Sequence, residues 1–509
     1  MPAKIFSSAI LGLDAVPIEV EVDLTRGLHC FNIVGLPDKA VEESKERVSA
    51  AIKNSEYDAP NKTNRRIIVN LAPANIKKEG SYYDLPIAVG FLIASEQIKT
   101  NTNDKIFVGE LALDGSLRKV NGILPTVIMA KKRGFKTIFV PSDNAKEASI
   151  IEGVSVIPLK NLKELMFHLD GSGEISPHPV SKIDDYICEE KITCDFAYIK
   201  GQESAKRALE IAAAGAHNIL MSGPPGSGKT LLAKAFASVL PQMTFDEILE
   251  VTKIYSIAGR LGSENPLITV RPFRSPHHTA SGISLIGGGA YPKPGEVSLS
   301  HRGVLFLDEF SEFQRNVLEN LRQPLEDGMV TVSRAKETIT FPARFTLAAA
   351  TNPCPCGNYN DPQKECYCSP SIVSKYQRKI SGPLMDRIDI HIEVPRIKYE
   401  KLTSEQVAES SLEIRKRVQK ARNLQQARYA GENIQTNNEM SIKQMQKYCK
   451  IDQETDSILR AAANQMQLSG RSVHKILKLA RTIADLSGEE NIKRDFIAEA
   501  LQYRPKDNF

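Results

Sequence analysis

The stretch NILMSGPPGSGKTLLAKAFASVL, residues 218–240, decides the fold. An apolar run at 218–222 leads into GPPGSGKT at 223–230, and the helix-like LLAKAFASVL follows. That order predicts a buried strand, a glycine-rich turn and a helix, which is the setting that G-x-x-x-x-G-K-[ST] requires. The glycines let backbone N–H groups curl around phosphates at a helix N-terminus. Gly223, Pro224, Pro225, Gly226, Ser227 and Gly228 then form the cradle of a nucleotide site. Lys229 is expected to reach the β- and γ-phosphates of ATP, and the Thr230 hydroxyl to bind Mg2+.

Two further strand ends fit the same site. GVLFLDEF at 303–310 is an apolar run closed by two acids. Asp308 would hold Mg2+ through water, and Glu309 would act as general base on the attacking water. Paired acids at a strand end are often a solvated turn, but the apolar run before them and the glycine-rich motif upstream favour the metal. LAAATN at 347–352 ends in Asn352, which either orients the attacking water or caps the next turn.

The runs at 218–223, 303–309, 345–352 and 388–394 are continuously apolar, as strands of a parallel sheet covered on both faces are. They define an α/β core over 190–395. Before it, 1–168 mixes β-branched runs (18–24, 65–72) with an amphipathic helix at 38–54, which carries Val41, Val48, Ala51 and Ile52 near helical spacing. A Gly-, Ser- and Pro-rich tract makes 169–189 a linker. Residues 396–509 read as an all-α lid. The fold class is thus multidomain α/β.

The chain has 509 residues, 41% apolar and 25% charged, with net charge +5. The charge permits a nucleic-acid partner without arguing for one. No apolar run approaches the roughly 20 residues of a membrane span, so no membrane partner is expected. The N-terminus reads as a strand and not a secretion signal, which points to the cytoplasm. Reducing conditions there bear on CPCGNYNDPQKECYC at 354–368, which holds four of the chain's 8 cysteines. Cys354, Cys356, Cys366 and Cys368 have C-x-C, nine residues, C-x-C spacing. The more usual zinc knot has C-x-x-C pairs. A structural zinc site of four thiolates is preferred over free thiols, a disulfide or a redox switch.

Together these motifs resemble the AAA+ ATPases, and more finely the magnesium-chelatase-like branch and its YifB/ComM family. The resemblance rests on GLPDKAVEESKERVSAAI, RPFRSPHHTASGISLIGGG, PGEVSLSHRGVLFLDE, TNPCPCG, SGPLMDRIDI and RSVHKILKLARTIADL, which span nearly the whole chain. It implies that Asn352 is sensor 1. It implies that Arg387 is an arginine finger entering a neighbouring subunit's site; otherwise Arg387 beside Asp386 and Asp389 reads as a surface ion pair. It makes Arg471 sensor 2, with Arg481 the fallback. It makes 271–289 a helix-2 insert and 329–345 a pre-sensor-1 hairpin whose tip residues Arg334 and Lys336 contact phosphates in a pore. His277 and His278 receive no role. A finger acting in trans implies a ring, and similar proteins form hexamers.

The N-terminal segment is similar to the Lon peptidase fold through residues 109–141. Active members use a Ser–Lys dyad. Here the lysine position falls on Leu124 and the serine position near Asp84 and Leu85, with Ser81 displaced. A serine without its base is not an activated nucleophile, so a non-proteolytic scaffold is expected. The leading functional expectation is an ATP-driven ring motor on DNA, implied by the family, with helicase-like branch migration in recombination or natural transformation. The alternatives are a chelatase-like protein-remodelling ATPase, a Lon-like protease and a zinc-stabilised binding module.

Overall fold

The computed structural model describes residues 2–62, 64–186, 194–262, 264–289, 292–333, 338–397 and 408–505. The chain forms two compact units, Met1–Cys188 with Ile248–Thr269, and Glu189–Glu247 with Val270–Phe509.

The first unit is built on a mixed seven-stranded sheet. Alternating β-branched residues make Asp14–Arg26 and Arg65–Ala72 long antiparallel neighbours, with Val20 facing Leu71 and Val22 facing Val69. Ala3–Leu11 pairs antiparallel with Asp14–Arg26 on the other side and leads to three parallel strands, Lys105–Phe107, Thr137–Pro141 and Ser155–Leu159. Cys30–Val34 closes the far edge, parallel to Arg65–Ala72. The expected helix at 38–54 forms in two pieces, Lys39–Glu42 and Ser44–Asn54, and buries Val41, Val48, Ala51 and Ile52. Asp84–Ala94, apolar after its first residue, is a core helix.

Two features of this unit depart from the linear division expected. Residues Ile248–Thr269, assigned above to the ATPase core, cluster here instead. Polar contacts tie this segment to the unit. Buried Glu147 accepts hydrogen bonds from the Ser256 hydroxyl (2.5 Å) and the Leu124 N–H (3.0 Å), and Lys119 Nζ donates to the Leu261 carbonyl (2.8 Å). The linker tract is also held in part, since His178 N–H donates to Val156 O (2.8 Å) and Ser181 Oγ lies 2.7 Å from Ser149 Oγ.

The second unit carries a five-stranded, all-parallel sheet in the order Phe273–Arg274, Val304–Leu307, Thr346–Thr351, Ile219–Ser222, Ile390–Glu393. Four of these strands are the expected apolar runs. The fifth, Phe273–Arg274, lies inside the segment read as an insert, so that segment begins as a sheet edge and only then gives the helix Gly282–Ile286. Met329–Ser333 and Thr338–Pro342 form the expected hairpin; Arg334 and Lys336 lie outside the described residues.

The described C-terminal residues are helical, chiefly Ser411–Arg428, Gln453–Gln465, Gly470–Leu486 and Arg494–Gln502. They share a core with the sheet. Buried hydrogen bonds fix the register: Arg422 and Gln425 donate to the carbonyls of Ala213 and Ala214 (3.0 Å each), and Thr482 Oγ1 lies 2.7 Å from His217 Nε2. Gly215 is tight there, because a Cβ would lie 2.3 Å from His217 Nε2. Among the described residues no helix is long and apolar enough to cross a membrane.

The N-terminal core also buries a charge. Asp84 is fully enclosed and accepts a two-pronged ion pair from Arg47 (2.7 and 3.0 Å) and the Leu111 N–H (3.2 Å). Burial pushes its carboxyl up and Arg47 opposes that. Replacing Arg47 with Met leaves the carboxylate without its partner, so urea unfolding should show a loss of about 3–5 kcal/mol. An unchanged midpoint would contradict this account of the core.

Candidate active site

The parallel pairing aligns Ser222 with Thr351, so the loop after the first strand and Asn352 after the other emerge side by side. Ligands of open α/β sheets gather at such carboxyl ends. Gly223 leaves no room for a side chain, since a Cβ there would meet Val394 O at 2.2 Å. Gly226 and Gly228 sit at φ +76° and +94°, and Gly228 caps the helix Lys229–Ser238 without a side-chain hydrogen bond. The first N–H groups of that helix keep the free donors every helix start has. Ser227 Oγ is buried with no hydrogen-bond partner among the described residues. Orphan donors, a helix N-terminus and a cation in one cradle fit a polyphosphate.

Lys229 is only 8% exposed. Its ammonium donates to the carbonyls of Gly223 (2.7 Å) and Pro224 (3.0 Å) and to Asn352 Oδ1 (3.3 Å). Burial lowers its pKa to about 8, against the pull of Asp308. The Thr230 hydroxyl donates to Asp308 Oδ2 (2.7 Å), and Asp308 Oδ1 accepts the Glu309 N–H (2.9 Å). Thr230 and Asp308 thus stand together as oxygen donors for a hard cation such as Mg2+. Glu309 has φ +52°, a left-handed conformation that is costly outside glycine and concentrates at functional sites. Its carboxylate is half exposed and meets His278 Nδ1 at 3.1 Å. His278 stacks on His277 and meets the edge of Phe313. The sequence offered no signal for this contact, because spacing does not say which strand end a loop histidine will reach.

Arg387 and Arg471 are brought together, away from Lys229. Both reach the Glu326 carboxylate, Arg471 at 3.4 Å, and Arg387 also donates to Arg322 O (3.1 Å) and Pro383 O (2.6 Å). They line a cleft of about 640 Å3 that includes none of residues 223–230. Asp389, considered above as a partner of Arg387, turns inward to the Asn218 N–H (2.9 Å) and Lys475 (3.1 Å). The fallback Arg481 is corrected: it is buried, and its guanidinium is spent on Asp485 (2.9 Å) and the carbonyls of Glu489 and Glu490. Those carbonyls lie in the turn just past its own helix, Gly470–Leu486, so it serves structure.

In the first unit the Ser81 hydroxyl donates to Glu110, and Leu124 is buried with its N–H on Glu147.

The cysteines converge. All four Sγ atoms lie within 4.8 Å of one another; Cys354 is 3.3 Å from Cys356 and 3.7 Å from Cys366, and Cys356 is 3.6 Å from Cys366. A tetrahedral zinc with Zn–S bonds of about 2.3 Å needs S···S edges of about 3.8 Å, whereas a disulfide needs about 2.0 Å. The thiols therefore fit a metal.

Three family models match the chain: magnesium chelatase, subunit ChlI, at residues 195–402; subunit ChlI of Mg-chelatase at 20–144; and the ChlI C-terminal region at 408–504. The competence protein ComM of Haemophilus influenzae is 42% identical over 506 residues, covering 99% of this chain and 97% of its own. YifB of Escherichia coli is 40% identical over the same length, with the same coverage. Lon protease 2 of Bacillus subtilis is 31% identical over 148 residues, 28% of this chain and 26% of its own. Identity of this extent along nearly the whole chain, joined to the parallel sheet and its glycine-rich cradle, establishes that the protein belongs to the ComM/YifB family of magnesium-chelatase-like AAA+ proteins.

Proposed function

We propose that this protein is an ATP-hydrolysing ring motor that acts on DNA, with branch migration of recombination intermediates as its task. The observation that carries the ATPase is the meeting of Lys229, Thr230, Asp308 and Asn352 at one sheet edge. Bound Mg·ATP would supply the phosphoanhydride and the charge-neutralising cation. Lys229 would exchange its carbonyl partners for phosphate oxygens, while Thr230 and Asp308 hold the metal. Glu309 would take the proton of the attacking water, and Asn352 would orient that water. His278 is a positioning residue in this reading, since it holds the Glu309 carboxylate.

Arg387 and Arg471 share Glu326 and sit apart from their own Lys229, which supports their service to a neighbouring subunit. A ring, with six copies as the expected number, follows from that reading. Its DNA side rests on the kinship with a competence protein. Zinc on Cys354, Cys356, Cys366 and Cys368 is part of the proposal, as a closed structural site with no open position for catalysis.

The N-terminal likeness to a Lon protease raises proteolysis as a second reading. Against it, Ser81 donates to a carboxylate and Leu124 stands in the base position. The Lon-like domain is proposed as a scaffold.

Steady-state ATPase assays with and without forked and single-stranded DNA test the motor. DNA should raise turnover; a rate and a binding signal that ignore DNA would leave a protein-remodelling ATPase instead. Glu309→Gln should keep Mg·ATP binding and lose about 10²- to 10⁴-fold in turnover. Near-normal hydrolysis in that variant would remove Glu309 from the role of base.

A further inference from the structure

We propose that the cysteine cluster is more than a local staple: the zinc it holds seats its loop against the phosphate-binding loop and so sets nucleotide affinity. The proposal rests on the zinc reading above. Its own foundation is a backbone contact. Gly357 lies just past the first thiol pair, at φ +80°, and its N–H donates to the Cys354 carbonyl (2.9 Å). A Cβ on Gly357 would lie 2.3 Å from Pro225 Cδ and 2.7 Å from Pro225 Cγ. Bare backbone therefore touches the middle of the GPPGSGKT loop, and only glycine fits both the approach and the left-handed turn.

Other contacts frame the same loop. Cys354 is buried two residues after Asn352, whose Oδ1 meets Lys229. Farther along, Asp361 is enclosed and pairs with Arg396 (2.7 Å), which also reaches Asn358 Oδ1 (3.4 Å). The carbonyl of the adjacent Pro395 accepts from Gln202 (2.6 Å), and the same amide reaches Ser227 O (3.4 Å). The helix Pro370–Gln377 that follows the cluster carries Tyr376, whose hydroxyl accepts from Ser311 (2.6 Å); Ser311 in turn meets Thr351 (3.0 Å). The loop is thus anchored at both ends to the strand ends that form the site.

Between those anchors, residues 352–369 contain no helix or strand. A segment of that kind owes its conformation to whatever ties it, and a metal's binding energy becomes its folding energy. With the thiols tied, Gly357 is pressed on Pro225 and the phosphate loop keeps its wall. With them untied, the wall is lost and the cradle is less organised. Linkage makes the effect reciprocal, so bound nucleotide should also hold the metal.

The test uses the full chain and measures zinc and nucleotide separately. Elemental analysis of the wild type should find about one zinc per chain. Cys366→Ser should lose zinc and bind Mg·ATP about tenfold more weakly, within the usual range of coupling between sites. Gly357→Ala should keep zinc and yet weaken Mg·ATP by a similar factor, because its methyl displaces Pro225. Transfer of zinc to a chromogenic chelator should be slower with Mg·ATP present. A wild type without zinc would overturn the zinc reading and this proposal with it. Zinc lost in Cys366→Ser at unchanged affinity would overturn the coupling alone. Should that variant fail to fold, the wild-type chelation rates decide, and equal rates with and without Mg·ATP would contradict the proposal.

Discussion

A buried ammonium must find acceptors, and much of the second unit is arranged around that requirement. Lys229 is nearly enclosed, and its three partners are two carbonyls of its own loop and the side-chain oxygen of Asn352. Leaving such a charge unsatisfied is among the costliest things a fold can do. To satisfy it, residues 123 positions apart must meet within 3.3 Å. Only a parallel pairing that sets Ser222 beside Thr351 brings both strand ends to the same edge. The same edge receives Asp308, since Val304–Leu307 flanks Thr346–Thr351 on its other side.

The helical C-terminal residues answer a different demand. They share a core with the sheet and lend buried polar partners to the helix Glu203–Gly215, which precedes the strand Ile219–Ser222. Arg422 and Gln425 cap its last carbonyls, and Thr482 engages His217. Arg471, on Gly470–Leu486, stands beside Arg387 at Glu326. The two arginines therefore belong to a surface distinct from their own phosphate cradle. In the ring reading, each cradle is completed by a second copy of the chain.

Much of this was legible in the residues. Four continuously apolar runs announced the sheet, because burial on both faces removes alternation, and the two that end in Asp308–Glu309 and Asn352 marked the edge where chemistry collects. The cradle was legible because its glycines and lysine have few other reasons to occur together. What escaped is what depends on tertiary approach. Phe273–Arg274 is too short to signal a strand, and it pairs only because Val304 and Leu305 lie alongside. Ile248–Thr269 joins the N-terminal unit through Glu147, a carboxylate no pattern could match to Ser256. His278 finds Glu309 through loop geometry, and Gly357 finds Pro225 by direct contact. Arg481, the fallback for sensor 2, proved to be consumed by Asp485 and by the turn that follows its own helix.

The central claim is that the carboxyl edge of the parallel sheet is a Mg·ATP site organised on Lys229. Calorimetric titration of Mg·ATP into the wild type and into Lys229→Met tests it most directly. The account predicts saturable binding by the wild type and its loss in the variant, with the folded structure kept. Equal affinity in the two proteins would contradict it.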